Sequence, residues 1–133
     1  MNAVIFAQQM MMAGSSSTSG FTSRYWRLYM TATQANDGYI NAKLIGLNAV
    51  VGDGTNRCPI VGGTVTASSL YGSNLPQYAW LNPKEDGTIN PSGFWHSNSQ
   101  TPPWWTIFDC GAGKSITANE LALCGANVAG RMP

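Results

Sequence analysis

Charge is scarce in this sequence: only 10% of its residues are Asp, Glu, Lys or Arg, against about a quarter in ordinary soluble domains. Seven basic and six acidic residues nearly cancel to a formal charge of +1. No run of Lys or Arg is present to follow a phosphate backbone, so nucleic acid is not an expected partner. The three cysteines, Cys58, Cys110 and Cys124, include no C-x-x-C pair, which argues against a zinc site. His96 is the only histidine, and no serine sits in a G-x-S-x-G elbow, so a nucleophilic triad has little to build on. No pair of carboxylates stands out as the acid and base of a glycosidase. No apolar run is long enough to span a bilayer. These shortages predict a chain that is not an enzyme and has no catalytic residues, metal, cofactor or membrane span.

Apolar residues are plentiful by contrast. At 133 residues and 44% apolar, the chain has room for one domain that buries roughly two-thirds of its unfolded surface. The surface must then be largely uncharged and polar, as the abundance of Gly, Ser, Thr and Asn requires. The cysteines lie in or near apolar runs and read as small buried hydrophobes kept reduced; one disulfide with a leftover thiol is the alternative.

Residues 1–12 are apolar and carry no Lys or Arg, so they lack the basic start of a secretory signal. Val4, Ile5, Phe6, Met10, Met11 and Met12 are read as protein-docking residues of an anchor peptide, with the flexible methionines fitting whatever groove receives them. Residues 13–20, AGSSSTSG, form a flexible linker. The folded domain is expected over residues 21–133.

Within that domain, short β-rich runs alternate with turn dipeptides, and no capped stretch of helical periodicity appears. The expected fold class is all-β, a sandwich. Trp26, Leu28 and Met30 alternate with Tyr25, Arg27 and Tyr29 in a first strand, Arg24 to Thr33. Asn36-Asp37-Gly38 offers a tight turn into Tyr39 to Leu47, which predicts a hairpin with Ile40, Leu44 and Ile45 in the core. Gly63 to Ser69 reads as a polar strand. Tyr71 to Ser92 reads as an irregular connection, a place where binding surfaces occur more often than core. Trp104 to Cys110 and Ile116 to Gly125 are the last two strands. The Gly111-Ala112-Gly113-Lys114-Ser115 segment between them is a turn, since it lacks Walker spacing and a following helix pattern.

Four segments together resemble the discoidin, or coagulation-factor type C, family of galactose-binding-like jelly rolls. These are Phe94-Trp95-His96-Ser97, Pro102-Pro103-Trp104-Trp105, Ile107-Phe108-Asp109-Cys110-Gly111, and Ile116 with Leu121 and Leu123. They are similar to that family's tryptophan-serine segment, its W-x-x-x-D-x-G strand and the apolar strand after it. Tyr25-Trp26-Arg27-Leu28 resembles a common opening strand, and Asp86-Gly87 an upstream turn. The resemblance implies a jelly-roll sandwich with Asp109 in a structural role, and a domain that continues past Pro133 or is completed by a neighbour. It also implies binding rather than catalysis.

Trp95 and at least one of Trp104 and Trp105 are expected in the core. Trp80 lies in the irregular connection, where Tyr78, Trp80 and Asn82 form a candidate sugar-stacking and hydrogen-bonding group; a plug under the loop and a protein anchor are equal alternatives. His96 and Asn98 are the second part of the candidate ligand-binding set. Peptide, linker and domain in this order are similar to bacteriophage tail-fibre proteins. The functional expectation is a virion structural and host-attachment protein, assembled in the host cytoplasm into an extracellular particle. Its partners would be other virion proteins through the N-terminal peptide, copies of itself, and a host-surface glycan. The alternative is a carbohydrate-binding module of a bacterial enzyme or surface protein.

Overall fold

The computed structural model describes residues 20–32, 39–48, 55–82, 93–98 and 101–125. The docking residues Val4, Ile5, Phe6, Met10, Met11 and Met12, the Asn36-Asp37-Gly38 turn, Asp86-Gly87 and the C-terminal segment from residue 126 lie outside them.

Among the described residues the fold is all-β apart from two single helical turns. Strands β1 (Phe21–Ser23) and β2 (Tyr25–Met30) are followed by β3 (Asn41–Ala42), β4 (Leu44–Asn48), helical turn α1 (Cys58–Val61) and β5 (Thr64–Ala67). The helical turn α2 (Gln77–Trp80), then β6 (Trp95–His96), β7 (Trp104–Asp109), β8 (Ile116–Ala118) and β9 (Glu120–Cys124) complete the order. The strands form small antiparallel sheets: β2-β7-β5, β1-β8, β3-β6 and β4-β9.

The pleat decides which residues meet in the core. On β2, Leu28 and Met30 are buried while Tyr25 and Arg27 are exposed. On β7, Trp104, Thr106 and Phe108 are buried, and Trp105, Ile107 and Asp109 alternate with them. The register sets Leu28 against Thr106 and Met30 against Trp104, so the two inward rows share one face. Trp95, Ile45, Leu47 and Ile116 join them in a single cluster. β4 is buried along its whole length, and Ile40, Leu44 and Ile45 are core residues as their positions in the sequence predict.

The expected hairpin is corrected. β2 pairs with β7, not with the strands that follow it, while β3 pairs with β6 and β4 with β9. β2 has one inward and one outward row and matches the alternating β7; β4 is apolar on both faces and needs an interior place. The run expected from Ile116 to Gly125 divides at Asn119, whose N–H donates to the Asn48 carbonyl at 2.9 Å. Its two halves serve different partners, β1 and β4.

The thiols of Cys58, Cys110 and Cys124 are free. Burial pushes the Cys58 and Cys110 thiols up from their ordinary range, which keeps them protonated and poorly nucleophilic. Between β7 and β8, Gly111 and Gly113 adopt positive φ, 91° and 71°, and the Lys114 N–H donates to the Gly111 carbonyl at 3.2 Å. This is a strand-connecting turn of the kind glycine permits. Among the described residues, no helix is long and apolar enough to cross a membrane.

Candidate ligand-binding site

Residues 75–82 of the irregular connection turn inward. Leu75-Pro76 leads into the turn of α2, which packs against β4, β5 and β6 and delivers the Trp80 ring to the core. Trp80 is 1% exposed, stacks on Phe108 with ring centroids 5.7 Å apart, and donates its indole N–H to Thr106 Oγ1 at 2.9 Å. Asn82 is buried as well, its amide donating to the Lys43 carbonyl at 3.3 Å. The reading of Trp80 and Asn82 as ligand-binding residues is therefore corrected: neither offers surface to a sugar. Tyr78, two residues before Trp80 on the same turn, is half-buried.

Asn56 holds this segment in place. Its amide donates to the carbonyls of Trp80 and Asn82, both at 2.7 Å, and its Oδ1 accepts the N–H groups of Leu47 and Cys58, both at 3.1 Å. One buried side chain thus ties β4, α1 and the end of α2 together. In the sequence it reads only as the last residue of a Gly-Asp-Gly-Thr-Asn loop.

His96 and Asn98 lie elsewhere and do reach the surface. β6 pairs Trp95 with Ala42 and His96 with Asn41, and alternation sends the Trp95 ring inward, where its N–H donates to the Ser69 carbonyl at 2.9 Å. His96 consequently faces away from the core. Three rings surround its imidazole: Tyr39 and Tyr71, each with centroids at 5.5 Å, and Phe94 at 6.3 Å. Tyr71 is 56% exposed, and Asn98 is exposed as well.

Backbone hydrogen bonds fix this rim. The Tyr71 N–H donates to the His96 carbonyl at 2.9 Å, and the His96 N–H to the Asn74 carbonyl at 3.4 Å. The Asn98 N–H donates to Ser69 Oγ at 3.2 Å. His96 Nδ1 lies 2.6 Å from the Ser97 carbonyl. A carbonyl can only accept, so Nδ1 carries a proton and donates it to Ser97. Ser97 is buried, with its hydroxyl oxygen accepting the Ile40 N–H at 3.1 Å. That serine shapes the rim and is not presented as a nucleophile.

Of the residues predicted for the site, His96 and Asn98 fall together, and Trp80 and Asn82 lie in the core. Tyr39 and Phe94 were missed as members. What assembles them is the pairing of β3 with β6, a contact between distant segments that no local pattern announces. Asp109, by contrast, plays the structural part expected of it: its Oδ1 accepts the Gly111 N–H at 2.9 Å. Arg24 donates to both of its oxygens, at 2.7 and 3.0 Å.

Comparison with known families and with curated proteins gives no match to this sequence.

Proposed function

We propose that the chain is a non-enzymatic attachment module of a bacteriophage particle, a discoidin-like jelly roll whose aromatic rim around His96 contacts a host glycan. The observation that carries this reading is the rim itself: Tyr71 is exposed beside an imidazole packed among three rings. A pyranose presents a flat C–H face that stacks on such a ring and hydroxyls that bond to its neighbours, here the imidazole and the Asn98 amide. In this reading the apolar peptide at residues 1–12 fastens the domain to other virion proteins, and the Ser-rich linker lets it reach outward.

One stacked ring and a few hydrogen bonds leave little surplus after ordering costs, so a single domain should bind at about 1 mM, roughly −4 kcal/mol. Many copies on a particle convert this to useful avidity. The test is a glycan array probed with the full chain on a multivalent carrier. Tyr71→Ala and His96→Ala should each abolish the signal from a wild-type glycan hit while leaving the circular dichroism spectrum unchanged. A wild-type carrier that binds no glycan, or variants that bind as well as wild type, would overturn the reading.

A further inference from the structure

The outer face of the β2-β7-β5 sheet is a second surface, on a different sheet from the His96 rim, and the inference drawn from it does not rest on that rim. Alternation places Arg27 and Tyr29 of β2 on the outward side, with Trp105 of β7 directly opposite Tyr29. Arg27 is exposed, and its guanidinium carbon lies 4.8 Å from the centroid of the Tyr29 ring and 5.8 Å from that of Trp105. Both distances are within cation–π range. The two rings hold the guanidinium in position, and no described carboxylate pairs with it.

The same sheet shows what completes such an arrangement. Arg24 lies over the Tyr25 ring at 4.7 Å, and its guanidinium is met by both oxygens of Asp109. Ring, guanidinium and carboxylate form a set at that end of the face. At the other end, ring and guanidinium are present and no carboxylate joins them among the described residues. Arg binds carboxylates bidentately when its fork is pre-positioned, and stacking on aromatic rings supplies that positioning. Next to Trp105 and Ile107, strand β5 and the residue after it add an exposed hydroxyl edge, Thr66 and Ser68. Ser68 already exchanges hydrogen bonds with the Trp105 backbone, its N–H donating at 2.8 Å and its Oγ accepting at 3.1 Å.

We propose that this face binds a carboxylate-bearing sugar, a uronic or sialic acid residue of an acidic glycan, with Arg27 taking the carboxylate and the Tyr29 and Trp105 rings taking the sugar's C–H face. Charge complementarity selects an anion, because Arg27 is a cation with no acidic partner among the described residues. The rings and the hydroxyl edge select a sugar over an acidic peptide, since they match both the apolar face and the hydroxyl periphery of a pyranose. Trp105 is half-buried, so its fluorescence should report occupancy.

The experiment titrates the full chain with tetragalacturonate and with 3′-sialyllactose. Tryptophan fluorescence and calorimetry are followed, with methyl-esterified tetragalacturonate and polyglutamate as comparison probes. At least one acidic sugar should bind saturably; esterification should weaken binding at least tenfold, and polyglutamate should bind at least tenfold less tightly. Arg27→Gln should lose at least tenfold in affinity with an unchanged melting temperature, and Arg27→Lys should fall between, because a lysine offers charge without the planar fork. The proposal is overturned if neither acidic sugar binds, if the ester or polyglutamate binds as well, or if Arg27→Gln binds like wild type. Sedimentation supplies the remaining arm: a wild-type oligomer that Arg27→Gln dissociates would make this face a contact between copies of the chain, not a sugar site.

Discussion

Trp80 and Trp95 illustrate how much a single side chain contributes here. Both are essentially without solvent exposure, and both satisfy their indole N–H groups internally, on Thr106 Oγ1 and the Ser69 carbonyl. Emptying a large aromatic site costs about 3–5 kcal/mol, because the surroundings collapse only in part. Trp80→Ala and Trp95→Ala should therefore each lower the stability measured by urea denaturation by about that amount, and by similar amounts. A Trp80→Ala loss under about 1 kcal/mol would show that the ring does not belong to the core. Asn56 acts through polarity instead of volume, since its four hydrogen bonds occupy both ends of the amide. In Asn56→Asp, the volume is kept but two donors become acceptors that face the carbonyls of Trp80 and Asn82. Leaving buried groups unsatisfied costs about 1–3 kcal/mol each, so this near-isosteric change should rank with the loss of a tryptophan.

At the scale of elements, the approach of β5 to β7 depends on the residue that precedes it. A Cβ placed on Gly63 would overlap the Asp109 carbonyl and come within 2.7 Å of Phe108 Cζ. Gly62, next to it, has open space around that position but a φ of +63°. Gly63→Ala must push the strand away from β7 and should cost about 1–3 kcal/mol, whereas Gly62→Ala carries only the roughly 1–2 kcal/mol of left-handed backbone strain. Paired thermal melts should place Gly63→Ala at or below Gly62→Ala; the reverse order would mean that the sheet yields easily. Such elements were legible in the sequence wherever one strand carries its own two-faced pattern, as in β2 and β7. The inward row of Leu28 and Met30 could be read from alternation alone, whereas on β7 alternation says only that Trp104 and Trp105 face opposite ways. Pairing was not legible, because Asn36-Asp37-Gly38 signals a turn while saying nothing of which strand lies alongside. The two-residue strands β3 and β6 are too short for any periodicity, so the rim they build around His96 could not be foreseen beyond His96 and Asn98. The place of Trp80 is open in the sequence for the opposite reason: its neighbours are turn formers, yet a single helical turn is enough to bring a ring into the core.

Across the whole molecule, early strands pair with late ones, β1 with β8, β2 with β7 and β4 with β9, so few contacts form until the chain has closed on itself. The Arg24–Asp109 pair sits at one such closure, joining residues 85 positions apart at the junction of β1 and β2 with the end of β7. Hydrogen bonding from Arg24 first, and from the Gly111 N–H second, holds the Asp109 carboxyl below its ordinary range. A carboxyl whose folded pKa lies below its unfolded value binds fewer protons in the folded state. Its contribution to stability is therefore fully present above the unfolded pKa of about 3.9 and is lost as pH falls through the folded value. Asp109→Asn keeps an acceptor for the Gly111 N–H but removes the titration and the charge opposite Arg24. The variant should be less stable than wild type at pH 7, and the gap between them should narrow as pH falls below about 4. Both partners are partly exposed, Arg24 by 40% and Asp109 by 26% of their side chains, so added salt should narrow the gap at pH 7 as well. Urea denaturation of both proteins from pH 2 to pH 7, at low and high salt, decides the matter. The absence of a gap across that range would mean that Asp109 holds the closure through its hydrogen bond to Gly111, which Asn keeps, and not through its charge.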